Sequence, residues 1–134
     1  MAHRTMLHTD IVSDLMKNPG GKAATRLAAE GEGSVCISII SAAELRFGAA
    51  KNGSSKLLSR VEAILAEFDV LPLDEPADAR YSILRMELEL AGNTITPHDL
   101  LIAAHVLAVD VTLATTNVSQ FSRVSGLRIE NWLA

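Results

Sequence analysis

The chain has 134 residues, 49% of them apolar, which is enough for one packed domain and excludes a disordered chain. Aromatic residues make up only 4%, which argues against a module that holds single strands by stacking bases on exposed rings. The formal net charge of −4 argues against a broadly basic nucleic-acid wrapper, while leaving room for a local basic patch that grips phosphates.

Short apolar runs alternate with helical patterns along the chain, without repeats or linkers, so residues 1–134 are expected to form a single domain. Thr5-Met6-Leu7 reads as a brief strand, followed by a helix from Ile11 to Lys17 that Asn18-Pro19-Gly20-Gly21 stops. A second helix is predicted over Lys22 to Glu30. Val35 to Ile39 is a continuous apolar strand, and Ser41 to Ala50 reads as helix. The one cysteine, Cys36, sits in that strand as a small buried hydrophobe; a thiol with no internal partner suits a reducing compartment. Asn52-Gly53 breaks the chain before a helix across Ser54 to Phe68, where Leu57, Leu58, Val61, Leu65 and Phe68 keep one apolar face. Val70 to Leu73 is a third strand, and Pro72 within it suggests a sheet edge. Ala77, Tyr81, Leu84, Leu88 and Ala91 mark the face of a long amphipathic helix. Leu100 to Ala108 is apolar nearly all round, as a helix packed on both sides is. Val111 to Ala114 is a buried strand; a helical turn at Asn117 to Phe121 and an extended piece at Leu127 to Ile129 follow. This alternation implies an α/β fold, a parallel sheet with helices on both faces, in which ligands bind outside the carboxyl ends of the strands. No apolar run approaches the ~20 residues of a membrane span, and no apolar segment follows Met1 to Arg4 as in a signal peptide. The expected location is the cytosol.

Four segments place polar residues just after a strand: His8-Thr9-Asp10, Ser41 to Glu44, Thr96 to Asp99, and Thr115-Thr116-Asn117. Each has a structural explanation. Ser41 with Glu44, and Thr96 with Asp99, fit capping boxes, and Asp10 and Asn117 are good N-caps. Taken together they read differently. Carboxylates on helix N-termini at neighbouring strand ends repel one another, and their mutual field suits a hard cation such as Mg²⁺ or Mn²⁺. Such an ion polarises a phosphate and activates a water. The chain has no phosphate-cradling glycine loop, zinc-type Cys/His spacing or GxSxG elbow to suggest other chemistry. Arg46, Lys51, Lys56 and Arg60 could steer phosphates or form a solvated face, and Arg46 could pair with an acidic neighbour. His98 reads as a surface residue that could touch substrate, and His105 as a hydrogen-bonded core histidine.

Several stretches resemble VapC-type PIN-domain proteins. Met6 to Leu15 is similar to the family's opening, usually hydrophobic-Asp-Thr-Asn, and Ile39 to Gly48 resembles its second motif with Glu44. Ile95 to His105 resembles the third motif and is the most distinctive of the set. Thr115 to Phe121 and Val124 to Trp132 resemble the C-terminal signature. The resemblance implies a PIN-like fold and a toxin of a toxin–antitoxin pair. It further implies a Mg²⁺- or Mn²⁺-dependent endoribonuclease that cleaves structured RNA such as tRNA, dimerises, and is silenced by an antitoxin filling its groove. By position, Glu44 and Asp99 take the places of two metal-site acids. His8 falls where the family has its first Asp, Asp10 where it has Asn, and Thr116 where it has its fourth Asp or Asn. Glu44, Asp99, Asp10, Thr116 and Asn117 are thus the candidate catalytic residues, and His8, Glu44 and Asp99 the candidate metal positions. Imidazole is a poor Mg²⁺ ligand, so weak or altered metal binding is expected. Two other readings are a PIN domain that binds its antitoxin without cutting RNA, and a small phosphohydrolase.

Overall fold

The computed structural model describes residues 3–134. Its centre is a five-stranded sheet in the order β3-β2-β1-β4-β5, with every neighbouring pair parallel. The strands are β1 (Thr5–Leu7), β2 (Val35–Ser38), β3 (Asp69–Leu71), β4 (Thr112–Ala114) and β5 (Ile129–Glu130). From β1 the chain steps one way to β2 and β3, then returns to lay β4 against the other side of β1. The strand order therefore reverses at β1, and the carboxyl ends of all the strands form one rim. In open parallel sheets the ligand crevice lies at such a reversal.

Alternation along the strands divides the core in two. Leu7, Val35, Ile37 and Ala114 face a layer that also contains Ile11, Val12, Leu15, Leu45, Val61, Leu65 and Trp132. These come largely from α1 (Thr9–Lys17), α3 (Ile39–Asn52) and α4 (Ser55–Leu65), with Ala23 from α2 (Lys22–Glu30). Met6, Cys36 and Leu113 face the opposite layer, where α5 (Ala77–Leu90) and α6 (Pro97–Val109) bring Leu84, Leu88, Leu100, Ile102 and Val106. A short α7 (Val118–Phe121) adds Phe121. Full burial of an aliphatic side chain of this size is worth roughly 1.5–3 kcal/mol, so the two layers supply most of the drive to fold. The expected α/β sheet with helices on both faces is what forms.

The sequence misplaces some helix ends. α3 begins at Ile39, two residues ahead of the expected start at Ser41, because the Ser38 hydroxyl accepts from Ile40 N–H and caps the helix there. Ser41 is buried inside that helix and forms no box with Glu44. α1 likewise starts early: His8 is its N-cap residue, and Asp10 lies in the first turn. Thr96 is the N-cap of α6, but its hydroxyl bonds the Asp99 carboxylate and not a backbone N–H. β3 is an edge strand, as Pro72 suggested, and ends one residue before it. The α4 face built from Val61 and Leu65 packs into the core.

Candidate active site

Three connections bring the rim together. β1 ends at Leu7, and the extended backbone of His8 turns straight into α1, so Asp10 stands on the first turn above the strand end. Pro97 at the first position of α6 fixes the entry of that helix and places Asp99 in its first turn. β4 ends at Ala114, and Thr115 and Thr116 continue over the same rim.

The His8 ring is the hub. Its Nδ1 lies 3.2 Å from Asp10 Oδ1 and 3.1 Å from Thr115 Oγ1, and its Nε2 lies 3.0 Å from Asp99 Oδ1. The Phe121 ring meets it in a T-shaped contact, centroids 5.1 Å apart. Asp10 Oδ2 accepts from Thr115 Oγ1 at 3.0 Å, from Thr116 N–H at 2.8 Å and from Thr116 Oγ1 at 2.6 Å. Asp99 Oδ2 accepts from the Thr96 hydroxyl at 3.0 Å and from the Gln120 amide at 2.7 Å.

This network assigns the protons. The Thr115 hydroxyl gives its one hydrogen to Asp10, so toward His8 it can only accept. The Asp99 carboxylate can only accept from Nε2. Both ring nitrogens therefore carry hydrogen, and His8 is an imidazolium between two carboxylates. Burial alone would push its pKa down, but hydrogen bonds and the charges of Asp10 and Asp99 outweigh that and raise it from 6.5 to about 9. Burial would raise the two acids, and the bonds from His8, with those from Thr116 to Asp10 and from Thr96 and Gln120 to Asp99, hold both below the usual carboxylate range.

Glu44 stands on the same rim without joining this cluster. Thr9 Oγ1 donates to its Oε1 at 2.9 Å, and the exposed His98 ring lies 3.9 Å from its Oε2. Glu44 is thus held beside the neighbours in sequence of His8 and Asp99. Asn117 touches no acid; its amide donates to Gln120 Oε1 at 3.2 Å. Sequence reasoning placed Thr115 in a polar segment after a strand but not among the candidate site residues, and it gave Gln120 no role. Thr115 carried a signal in being a polar residue directly after a buried strand, whereas nothing distinguished Gln120 in its short helical turn.

The donor set as it stands does not fit a divalent ion. Among the described residues no three His, Cys, Asp or Glu side chains are arranged to hold one. His8, protonated at both nitrogens, offers no lone pair. Of the basic cluster, Arg46 forms a two-pronged pair with Glu62 at 2.7 and 3.0 Å, and Arg60 donates to the Met16 carbonyl. His105 is buried and shares a hydrogen bond with Ser38 Oγ at 2.9 Å; its burial lowers its pKa.

The PIN domain family model matches residues 6–127. The chain is 33% identical to the tRNA(fMet)-specific endonuclease VapC of Shigella flexneri, over 95% of this chain and 96% of that protein. The chain belongs to the VapC-type PIN-domain family. Ribonuclease VapC2 of Rickettsia felis is 35% identical over 74% of this chain and 75% of that protein. Among solved structures, DNA-bound VapBC from Salmonella typhimurium superposes with a TM-score of 0.90 at 31% identity, covering 97% of this chain and 98% of that one. VapBC2 from Rickettsia felis bound to a promoter DNA fragment gives 0.87 at 31% identity, covering 96% and 98%. In this PIN domain the rim at the strand reversal is the place where Asp10, Asp99 and Glu44 gather, and His8 is what lies between the first two.

Proposed function

We propose that this chain is the toxin of a toxin–antitoxin pair, a VapC-like endoribonuclease that takes structured RNA such as tRNA at the β1–β4 rim. The gathering of Asp10 and Asp99 on two helix N-termini, with Glu44 on the same rim, carries this reading. It is supported by relatives named as ribonucleases and by the likeness to VapBC complexes. Glu44, Asp99 and Asp10 are the acidic residues facing the RNA phosphate, with Thr116 orienting Asp10 and Asn117 acting through Gln120. An apolar groove between α1, α3 and α4 opens beside Glu44, lined by Met16, Leu45, Ala49, Leu57 and Val61. It is the place for an antitoxin segment, which would cover the acids while bound. The pairing of two copies belongs to the same reading, as does the cytosol; no helix among the described residues is long and apolar enough to cross a membrane.

Mg²⁺ or Mn²⁺ is the ion this reading implies, and no step is assigned to it on the present donor set. What the chain's own residues do is hold two carboxylates ionised and oriented, keep a proton on His8, and leave Glu44 partly open to solvent. A second reading has a specific observation in its favour: with His8 bonded to both Asp10 and Asp99, the protein could bind antitoxin and RNA without cleaving.

The test is incubation with tRNA and Mg²⁺ or Mn²⁺ of the wild-type chain, His8→Asp, and His8→Asp with Asp99→Ala. Strong cleavage by His8→Asp that Asp99→Ala abolishes is the expected result. If neither wild type nor folded His8→Asp cuts RNA and antitoxin binding is intact, the second reading replaces the first.

A further inference from the structure

We propose that the His8 ring is a built-in plug, which takes the position between Asp10 and Asp99 where a divalent ion would sit and holds the two acids too far apart to share one. The inference rests on the proposed function in taking this rim as the ion's place, and the rest is geometry. Two N–H bonds leave an imidazole ring in diverging directions. Oxygens 3.2 Å from Nδ1 and 3.0 Å from Nε2 therefore stand roughly 6 to 8 Å apart. Mg²⁺ binds oxygen at about 2.1 Å, so two oxygens on one ion are no more than about 4.2 Å apart.

The other oxygen of each acid is also engaged. Asp10 Oδ2 accepts from Thr115 and twice from Thr116, and Asp99 Oδ2 accepts from Thr96 and Gln120. The plug is itself fixed in place, since the ring packs against fully buried Phe121 and its backbone N–H donates to the Ala114 carbonyl. An ion could enter only by displacing a ring held on three sides. Replacing His8 by Asp removes the ring and adds a carboxylate oxygen in the gap.

The experiment is Mn²⁺ titration of the purified chain, followed by the loss of the free-ion electron paramagnetic resonance signal, with folding checked by circular dichroism. The variants are His8→Asp, His8→Ala, and His8→Asp combined with Asp99→Asn. Wild type is expected to take up no stoichiometric Mn²⁺ at millimolar concentration. His8→Asp should bind one ion at least about tenfold more tightly, and the added Asp99→Asn should lose that gain. His8→Ala, which opens the gap without adding charge, should bind more tightly than wild type, and it decides the matter if His8→Asp does not fold. The plug is overturned if wild type binds one Mn²⁺ within about threefold of His8→Asp, or if the folded His8 variants gain nothing. No RNA enters this measurement. Absence of cleavage by folded His8→Asp would count against the proposed function and leave the plug standing, whereas tight wild-type Mn²⁺ binding would remove the plug and leave the nuclease reading intact.

Discussion

Raising the pH should destabilise this protein through one side chain. His8 is 10% exposed and lies between two carboxylates that lift its pKa from 6.5 to about 9. A base whose folded-state pKa is raised binds its proton more tightly in the folded chain than in the unfolded one. Its contribution to stability is therefore complete below about pH 6.5 and is lost as the pH climbs to about 9. The difference corresponds to about 3 kcal/mol. For a chain of this size that is a fall in Tm of roughly 10 °C. Thermal unfolding followed by circular dichroism across this range, on wild type and on His8→Asn, measures it. The variant should be less stable than wild type at pH 6 and should lose far less as the pH rises. Cys36 adds a loss of its own at the alkaline end, because its buried thiol is pushed up to about 12, but that loss is common to both proteins. Parallel pH profiles for the two proteins between pH 6.5 and 9 would refute the assignment of an imidazolium. At the acid end the depressed Asp10 and Asp99 act in the opposite sense, and stability falls once the pH drops below their ordinary range.

Three further outcomes are expected. Ser38→Ala removes the cap of α3 and the partner of buried His105, and should cost about 1–2 kcal/mol in urea unfolding. Phe121→Ala opens a cavity beside the His8 ring and should cost about 3–5 kcal/mol, and loss of the Phe121 ring current should change the chemical shifts of the His8 ring protons by NMR. Cys36, fully buried with a raised thiol pKa, should resist iodoacetamide at pH 8 in the folded protein and react promptly in denaturant.

The sheet was legible because its strands are short runs of Val, Ile, Leu and Met between clear stops, and α6 because it is apolar all round. The start of α2 at Lys22 was legible too, but those of α1 and α3 were not. In Val35 to Ile40 every residue except Ser38 is apolar, and periodicity gives no sign of where strand becomes helix. The decision is made by the Ser38 hydroxyl bonding Ile40 N–H, which pulls the start of α3 ahead of Ser41. Asp10 has the composition of an N-cap, but its carboxylate is drawn to Thr115 and Thr116, which lie more than a hundred residues away in sequence. Proximity of that kind leaves no local trace. The resemblance to the family gave the acids their places; the clasp that His8 makes on two of them depends on side-chain direction, which only coordinates supply.

β1, which precedes the other four strands in sequence, lies in the middle of the sheet. Thr5 of β1 pairs with Val35 on one side and with Thr112 on the other. A chain emerging from the ribosome can lay β2 against β1 early, but the second flank stays open until β4 has been made. Closing so distant a contact makes folding slow. It also means that a product cut short just before Thr115 would carry Asp10, Glu44 and Asp99 and still lack the hydroxyls that orient them. A late stop codon should therefore disarm this molecule as completely as an early one.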